Sequence, residues 1–240
     1  MKKNFTVIAA GGLGTRLKNY KNNEYTKVLI PIGQTSMISQ QINQLKNWGY
    51  DNIVIVTNEE YDKLIKEDVI GHFPNENIEF VIQTEQLGIA HALKQAKPVI
   101  DKGSQISFIL GDNFFGDNPF ANNKEVYSDD KAALVLKKVS NPQDFGVAVL
   151  ENSKIVDLIE KPKKNISNYA VLGFYKYEYD CFEIIDTLKK SDRGEYEITD
   201  LNKNYLKLSK VNYSIFDSWW IDAGTPARIE DLSQKLIEWF

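Results

Sequence analysis

A chain of 240 residues, 42% apolar and 26% charged, can bury a substantial core and fits one large α/β domain or one domain with an appendage. Its net charge of −4, with acids and bases interspersed, leaves no basic stripe for nucleic acid, so cations that meet a phosphate must be local. The one cysteine, Cys181, excludes an intrachain disulfide and a cysteine-rich zinc site and fits a cytoplasmic setting, and no apolar run is long enough for a signal segment or a membrane span.

Phe5 to Ala10 is a short apolar run that suits a buried strand. It feeds Gly11-Gly12-Leu13-Gly14-Thr15-Arg16, where three glycines let the backbone turn tightly and bring its N–H groups close to a ligand. A strand running into such a loop presents amide donors to an anion, and Arg16 and Lys27 add two cations nearby. The Walker-A string is absent, and the dinucleotide fingerprint GxGxxG fails at Leu17. On glycine spacing alone, a plain turn is the alternative.

Ser36 to Trp48 sets Met37, Ile38, Ile42, Leu45 and Trp48 at helical spacing, and Gly49 closes the helix. Ile53–Thr57 reads as a buried strand, Tyr61–Val69 as a short helix, Ile78–Ile82 as a strand, Gly88–Val99 as a helix and Ile106–Leu110 as a strand. Alternation throughout argues for parallel βαβ units, whose ligands sit beyond the carboxyl ends of the strands. Gln83 stands at such an end, and its carboxamide can pair with the edge of a pyrimidine base. Gly88 lets the chain pass close to a ligand. Gln86 is an alternative reader, and His91 reads as a helix-surface residue. Asp112 follows Ile106–Leu110 and is placed either to bind a hard cation or to form a turn.

Further on, Phe120–Asp130 reads as a loop or short surface helix, Ala132–Val139 as a strand, and Asn141–Val147 as a turn feeding another strand. Ile155–Ile159 is a half-buried strand that leads into Glu160-Lys161-Pro162, an adjacent acid and base that could also be a surface ion pair. Tyr179–Lys190 is an amphipathic helix with Cys181 in the core, Trp219 a core anchor, and Ala227–Phe240 the last helix.

GGLGTRL at 11–17, followed by TKVLIPI at 26–32, resembles the signature of the sugar-phosphate nucleotidylyltransferases, nearest to the glucose-1-phosphate thymidylyltransferases. The likeness continues in order through Gln83 with GIAHA, GDNFF at 111–115, FGV at 145–147, EKP at 160–162, AVLGFY at 170–175, RGEYEIT at 193–199 and WWIDAGT at 219–225. It implies a mixed, mostly parallel Rossmann-like sheet flanked by helices in a single domain, with a nucleotide-binding half at 1–115 and a sugar-phosphate-binding half at 130–240. The substrates it implies are a nucleoside triphosphate, dTTP before UTP or CTP, and a sugar 1-phosphate, with glucose first. It implies Mg²⁺ held by Asp112 and Asp222, and a homo-oligomer.

By the same resemblance, Arg16, Lys27, Asp112 and Asp222 are catalytic. Ala10, Gly11, Gly12, Gly14, Thr15, Gln83 and Gly88 bind the nucleotide. Gly146, Glu160, Lys161, Val171, Tyr175, Arg193 and Trp220 bind the sugar phosphate, while Glu195 and Glu197 cap and brace the following helix. Two departures stand out. Lys18–Tyr25 lacks the Pro-x-Thr usual before the lysine, which bears on the lid over the triphosphate, and the chain stops soon after its last motif, so feedback regulation from a distal site is expected to be absent or altered. A catalytically lost binding domain is disfavoured by the presence of all four catalytic residues. A dinucleotide oxidoreductase is disfavoured because Ile53–Thr57 ends in Thr57-Asn58 and not in an acid.

Overall fold

The computed structural model of the chain describes residues 2–14, 17, 20, 26–121 and 130–237. In strand β1 (Asn4–Ala9), Val7 packs toward one face of a sheet and Ile8 toward the other, and both are fully buried. That is the period-2 signature of a central strand. A small hairpin follows, β2 (Pro31–Ile32) with β3 (Thr35–Ser36). Helix α1 (Met37–Asn47) starts on Ser36, whose hydroxyl accepts from the Ser39 N–H, and ends at Gly49 with φ +78°.

Next come β4 (Ile53–Asn58), α2 (Asp62–His72), β5 (Glu79–Gln83), α3 (Ile89–Gln95), β6 (Gln105–Leu110) and β7 (Asn113–Phe115). The expected helix to Val99 stops at Gln95 and continues only as a 3₁₀ turn at Lys97–Val99, because Pro98 lacks the N–H that a further α-turn requires.

The second half holds β8 (Ala132–Lys138), β9 (Gly146–Glu151), β10 (Lys154–Glu160), β11 (Tyr169–Glu178), α4 (Cys181–Thr187), α5 (Ile198–Lys207), β12 (Val211–Ile215), β13 (Trp220–Asp222) and α6 (Pro226–Ile237). Helix α4 stops short of the expected Lys190, since Leu188 turns extended and packs against the core. Among the described residues the main sheet has nine strands, in the order β10-β9-β11-β6-β1-β4-β5, with β8 on β11 and β12 on β8. Pairs β1–β4, β1–β6 and β4–β5 are parallel, as the first half of the sequence requires.

The alternation of strand and helix does not run throughout. From β8 to β11 no α-helix intervenes, and β9 and β10 are joined through Asn152 and Ser153, both at positive φ. A connection that short closes an antiparallel pair, whereas a parallel one needs a crossover of about a dozen residues. Strand β11 accordingly lies antiparallel to β6, β8 and β9.

One core packs α3, α4 and α5 on one face of the sheet, and a second packs α1 and α2 on the other. A third seats α6 against the β2–β3 hairpin and Phe114 of β7. No described helix is long and apolar enough to cross a membrane.

Strand β11 joins the halves. Its Phe174 is fully buried, opposite Ile109 of β6, with ring centroids 4.9 Å from Phe120, 5.6 Å from Tyr50 and 5.7 Å from Phe115. Phe174→Ala is expected to cost about 3–5 kcal/mol in urea unfolding, as for other large-to-small core changes; a loss under about 1 kcal/mol would contradict this packing.

Candidate active site

The carboxyl ends of β1, β5 and β6 deliver the first group of residues to one edge of the sheet. Leaving β1, the Ala10 N–H donates to the Val56 carbonyl, and Gly11 passes so close to β4 that a Cβ there would lie 2.9 Å from the Thr57 oxygen. Asn58, buried at the end of β4, donates from Nδ2 to the Gly11 carbonyl at 2.8 Å and accepts from the Tyr61 N–H. Where a dinucleotide enzyme would carry an acid, this chain uses an amide to pin the glycine loop. Gly11 and Gly12 line a cavity of about 310 Å³ together with Lys27, Gln83, Gly88 and Asp112. Ala10 and Gly14 do not line it. Ala10 is buried, and Gly14, at φ +58°, leaves no room for a Cβ beside Lys27. Thr15 and Arg16 lie outside the described residues, as does the Lys18–Tyr25 segment apart from Tyr20.

Gln83 is buried; its Nε2 donates to the Gly88 carbonyl at 3.2 Å and lies 3.0 Å from His91 Nδ1. Among the described residues nothing donates to its Oε1, so the side chain offers the cavity an acceptor. Gln86 lines the same cavity but is exposed. His91 is not the plain surface residue expected. It stacks on Tyr196 at 6.2 Å, its Nε2 lies 3.0 Å from the Gln95 amide, and burial lowers its pKa, so the ring is neutral at pH 7. Gly88, at φ +98°, sits where a Cβ would meet the Tyr196 oxygen at 2.8 Å. Leu87 accepts from the Tyr196 N–H there, and the Ala90 N–H donates to the Tyr196 carbonyl.

Asp112 follows β6, and the Lys27 ammonium donates to its carboxylate. Burial alone would raise this carboxyl, but the Lys27 charge and the hydrogen bonds from Lys27 and Asn113 outweigh it and hold the pKa below the usual carboxylate range. Asn113 is the joint of the site. Buried, it donates from Nδ2 to Asp112 Oδ1 at 2.8 Å, while its Oδ1 accepts from Trp220 Nε1 at 2.9 Å and from the Gly173 N–H at 3.2 Å.

Strand β13 pairs Asp222 with Asn113, and the Ala223 N–H donates to the Asp112 carbonyl. Two carboxylates 110 positions apart in sequence, Asp112 in the turn before β7 and Asp222 at the end of β13, are thereby brought to line one cavity. Arg228 approaches Asp222 Oδ2 at 3.6 Å. Among the described residues no group of three or more His, Cys, Asp or Glu gathers as a metal cage. Two hard oxygen donors beside open space nevertheless fit a divalent cation that takes its other ligands from phosphates and water.

A second cavity, of about 210 Å³, is lined by Gly146, Glu160, Lys161, Val171, Tyr175 and Trp220 among others. Asp112, Leu110 and Ile89 line both cavities, so the two meet at Asp112. Thr199 donates to Glu160 Oε2 at 2.5 Å, and a Cβ on Gly146 would strike the Thr199 hydroxyl at 2.9 Å. Burial, then the nearby Glu160 and Asp112 charges, push the Tyr175 hydroxyl upward, so it stays protonated. Arg193 does not line this cavity. Glu197 holds it at 2.9 and 3.1 Å, Glu195 at 3.0 Å, and Glu160 stands 3.8 Å away. Glu197 makes no side-chain cap on α5, contrary to expectation, because its carboxylate is spent on Arg193 and Ser191. Asn58, His91, Asn113, Thr199 and Arg228 were not read from sequence as part of the site. A carboxamide closing a strand that opens with four apolar residues, as Asn58 does, was the available signal for one of them.

The sequence pattern of the family described as Nucleotidyl transferase matches residues 5–238. The chain is 33% identical over 235 residues to the Bifunctional protein GlmU of Methanococcus aeolicus, covering 97% of this chain and 54% of that protein. It is 31% identical over 226 residues to the glucose-1-phosphate thymidylyltransferase of Xanthomonas campestris pv. campestris, covering 91% and 76%. The chain thus spans about half the length of the GlmU relatives it matches. A solved Bacillus anthracis structure, provisionally described as a glucose-1-phosphate thymidylyltransferase in complex with sucrose, superposes with a TM-score of 0.87 at 34% identity, covering 96% and 94% of the two chains. A UDP-glucose pyrophosphorylase structure shares the fold, with a TM-score of 0.82 at 22% identity and full coverage of both chains.

Asn113→Ala would strand the Trp220 indole N–H and the Gly173 N–H and release Asp112. A loss of about 2–3 kcal/mol in urea unfolding is expected, with an unchanged m-value. A neutral substitution would show that Asn113 does not join these elements.

Proposed function

The chain belongs to the nucleotidyl transferase family, and we propose that it transfers a nucleotidylyl group from a nucleoside triphosphate to a sugar 1-phosphate, with dTTP and glucose 1-phosphate the preferred pair. The observation that carries this reading is the meeting of two cavities at Asp112, with Asp222 delivered beside it by β13. One cavity suits a nucleotide, with its glycine loop and buried glutamine; the other suits a sugar phosphate, with its acid, lysine and aromatic wall. Residues 1–115 act as the nucleotide half and 130–240 as the sugar-phosphate half of one domain. The protein works in the cytoplasm as a homo-oligomer.

A sugar phosphate oxygen attacks the α-phosphorus in line. A new P–O bond forms, the α–β bridge breaks, and pyrophosphate leaves with the electron pair. The attacking phosphate is already ionised at neutral pH, so no general base is needed, and the protein's work is positioning and charge neutralisation. The Gly11–Gly14 backbone and Thr15 hold the triphosphate, and Arg16 favours the departing pyrophosphate. Lys27, which in the free protein neutralises Asp112, serves the α-phosphate. Asp112 and Asp222 would hold Mg²⁺, which when bound supplies charge neutralisation to both substrates' phosphates. Gly88 meets the base with its backbone. Glu160, braced by Thr199, accepts from sugar hydroxyls, and Gly146, Val171, Tyr175 and Trp220 shape the sugar cavity. Lys161 and Arg193 hold the sugar's phosphate; for Arg193 this means leaving part of its hold on Glu197.

The bond from Gln83 Nε2 to the Gly88 carbonyl leaves Oε1 as the group offered to the cavity, which supports a base preference. That Oε1 can accept from the N3–H of thymine or uracil, and cytosine has no hydrogen there to give. The relative named glucose-1-phosphate thymidylyltransferase favours dTTP and glucose.

Pyrophosphate release should be measured with Mg²⁺ across five nucleoside triphosphates and several hexose 1-phosphates. Turnover is expected with dTTP or UTP, with CTP at least about 10-fold poorer, and Asp112→Asn should cost at least about 100-fold. Absence of release from every pair would refute the reading.

A further inference from the structure

We propose that Asn202 is a sugar-specificity residue, a neutral donor that reads one oxygen of the sugar; the inference rests on the function proposed for this site. Helix α5 presents a buried stripe of Ile198, Leu201, Asn202 and Tyr205, in which Asn202 is the one carboxamide. It is 1% exposed, yet it lines the second cavity. Its Oδ1 is already engaged, accepting from the Tyr177 hydroxyl at 2.7 Å. Tyr177 is itself fully buried and fixed by rings on both sides, Tyr175 at 5.9 Å and Tyr205 at 5.8 Å. A tyrosine sealed in this way has a proton to give and no other acceptor among the described residues, which fixes the carboxamide with its nitrogen directed away from Tyr177.

Nothing among the described residues accepts from that Nδ2. It is also absent from the side-chain atoms that are both sealed and unpartnered, which are Tyr20 Oη, Thr35 Oγ1 and Gln41 Oε1. The trace of exposure that Asn202 keeps therefore reaches it through the cavity. A buried amide donor without a protein partner is one that a ligand is built to satisfy.

The surroundings define what it reads. One turn back on the same helix, Thr199 orients the Glu160 carboxylate, and the Tyr175 hydroxyl opens on the same space. The Glu160 carboxylate that Thr199 holds on this side of the cavity suits sugar hydroxyls, so the group Asn202 serves beside it is a neutral oxygen, a hydroxyl or an acyl carbonyl. Glu160 takes a hydroxyl hydrogen and Asn202 gives one, which reads both hydrogen-bonding senses of the sugar. A site with such a donor rejects an analogue that lacks the oxygen, because the donor is then left unpaired.

The test uses glucose 1-phosphate and its monodeoxy analogues at carbons 2, 3, 4 and 6, with wild type, Asn202→Asp and Asn202→Ala. The aspartate keeps the acceptor for Tyr177 and replaces the donor with a carboxyl group; the alanine removes the donor without adding a charge, and the effect must appear in both. For the variants, KM for the sugar 1-phosphate should rise at least about 10-fold while KM for the triphosphate stays within about twofold. At one carbon, wild type should discriminate against the deoxy analogue and the variants should not. Isothermal titration of the same compounds reads binding independently of turnover. Unchanged KM values and a superimposable deoxy profile in an active enzyme would overturn this inference alone. A wild-type protein that neither binds nor turns over any hexose 1-phosphate would overturn it together with the function on which it rests.

Discussion

A carboxylate taken out of water must be paired, and Asp112 is paired with Lys27. That contact ties the end of β6 to the segment after the glycine loop. Through Asn113 the same point is tied to Trp220 and Gly173, and through the β7–β13 pairing to Asp222. Both cavities open on Asp112 because the chain's two halves converge on it. The pairing also leaves a defined charge state: Lys27 and Asn113 keep the acid ionised despite its burial, which is the form that a cation or a phosphate-bound metal would require.

Around that centre, the protein uses neutral amides to set its other side chains. Asn58 pins the Gly11 carbonyl, Gln83 donates inward to the Gly88 carbonyl, and Asn202 is turned by Tyr177. A buried carboxamide has a donor end and an acceptor end, so satisfying one end against the protein decides what the other presents to a ligand. The Leu87–Tyr196 and Ala90–Tyr196 backbone bonds hold the loop before α3 against the segment that carries Arg193, beside the cavity that Gly88 lines.

Much of this could be read in the chain itself. The runs Phe5–Ala10, Ile53–Thr57 and Ile106–Leu110 are apolar on both faces, as buried parallel strands must be, and that pattern alone puts Gly11 and Asp112 at strand ends. The return of the second half as antiparallel strands was less legible, because Asn152-Ser153 carries no glycine to mark a tight turn. Pairings across the fold were not legible at all. Glu197 lies at a helix start and looks like a cap, yet Arg193, four positions earlier, claims it. His91 has the spacing of a surface helix residue, and only the folded chain puts Gln83 beneath it. Asn202 is legible in hindsight as a polar residue on an apolar helical stripe. What it faces depends on where β11 sets Tyr177.

The central claim is attack of a sugar phosphate oxygen on the α-phosphorus, with both substrates held across Asp112. It is tested most directly by following isotope. Glucose 1-phosphate carrying ¹⁸O at its non-bridging phosphate oxygens would be turned over with dTTP and the products weighed by mass spectrometry. The account predicts that all of the label stays in the nucleotide sugar and none enters pyrophosphate. Label in pyrophosphate or in free phosphate, or a free nucleoside monophosphate as the main product, would contradict it.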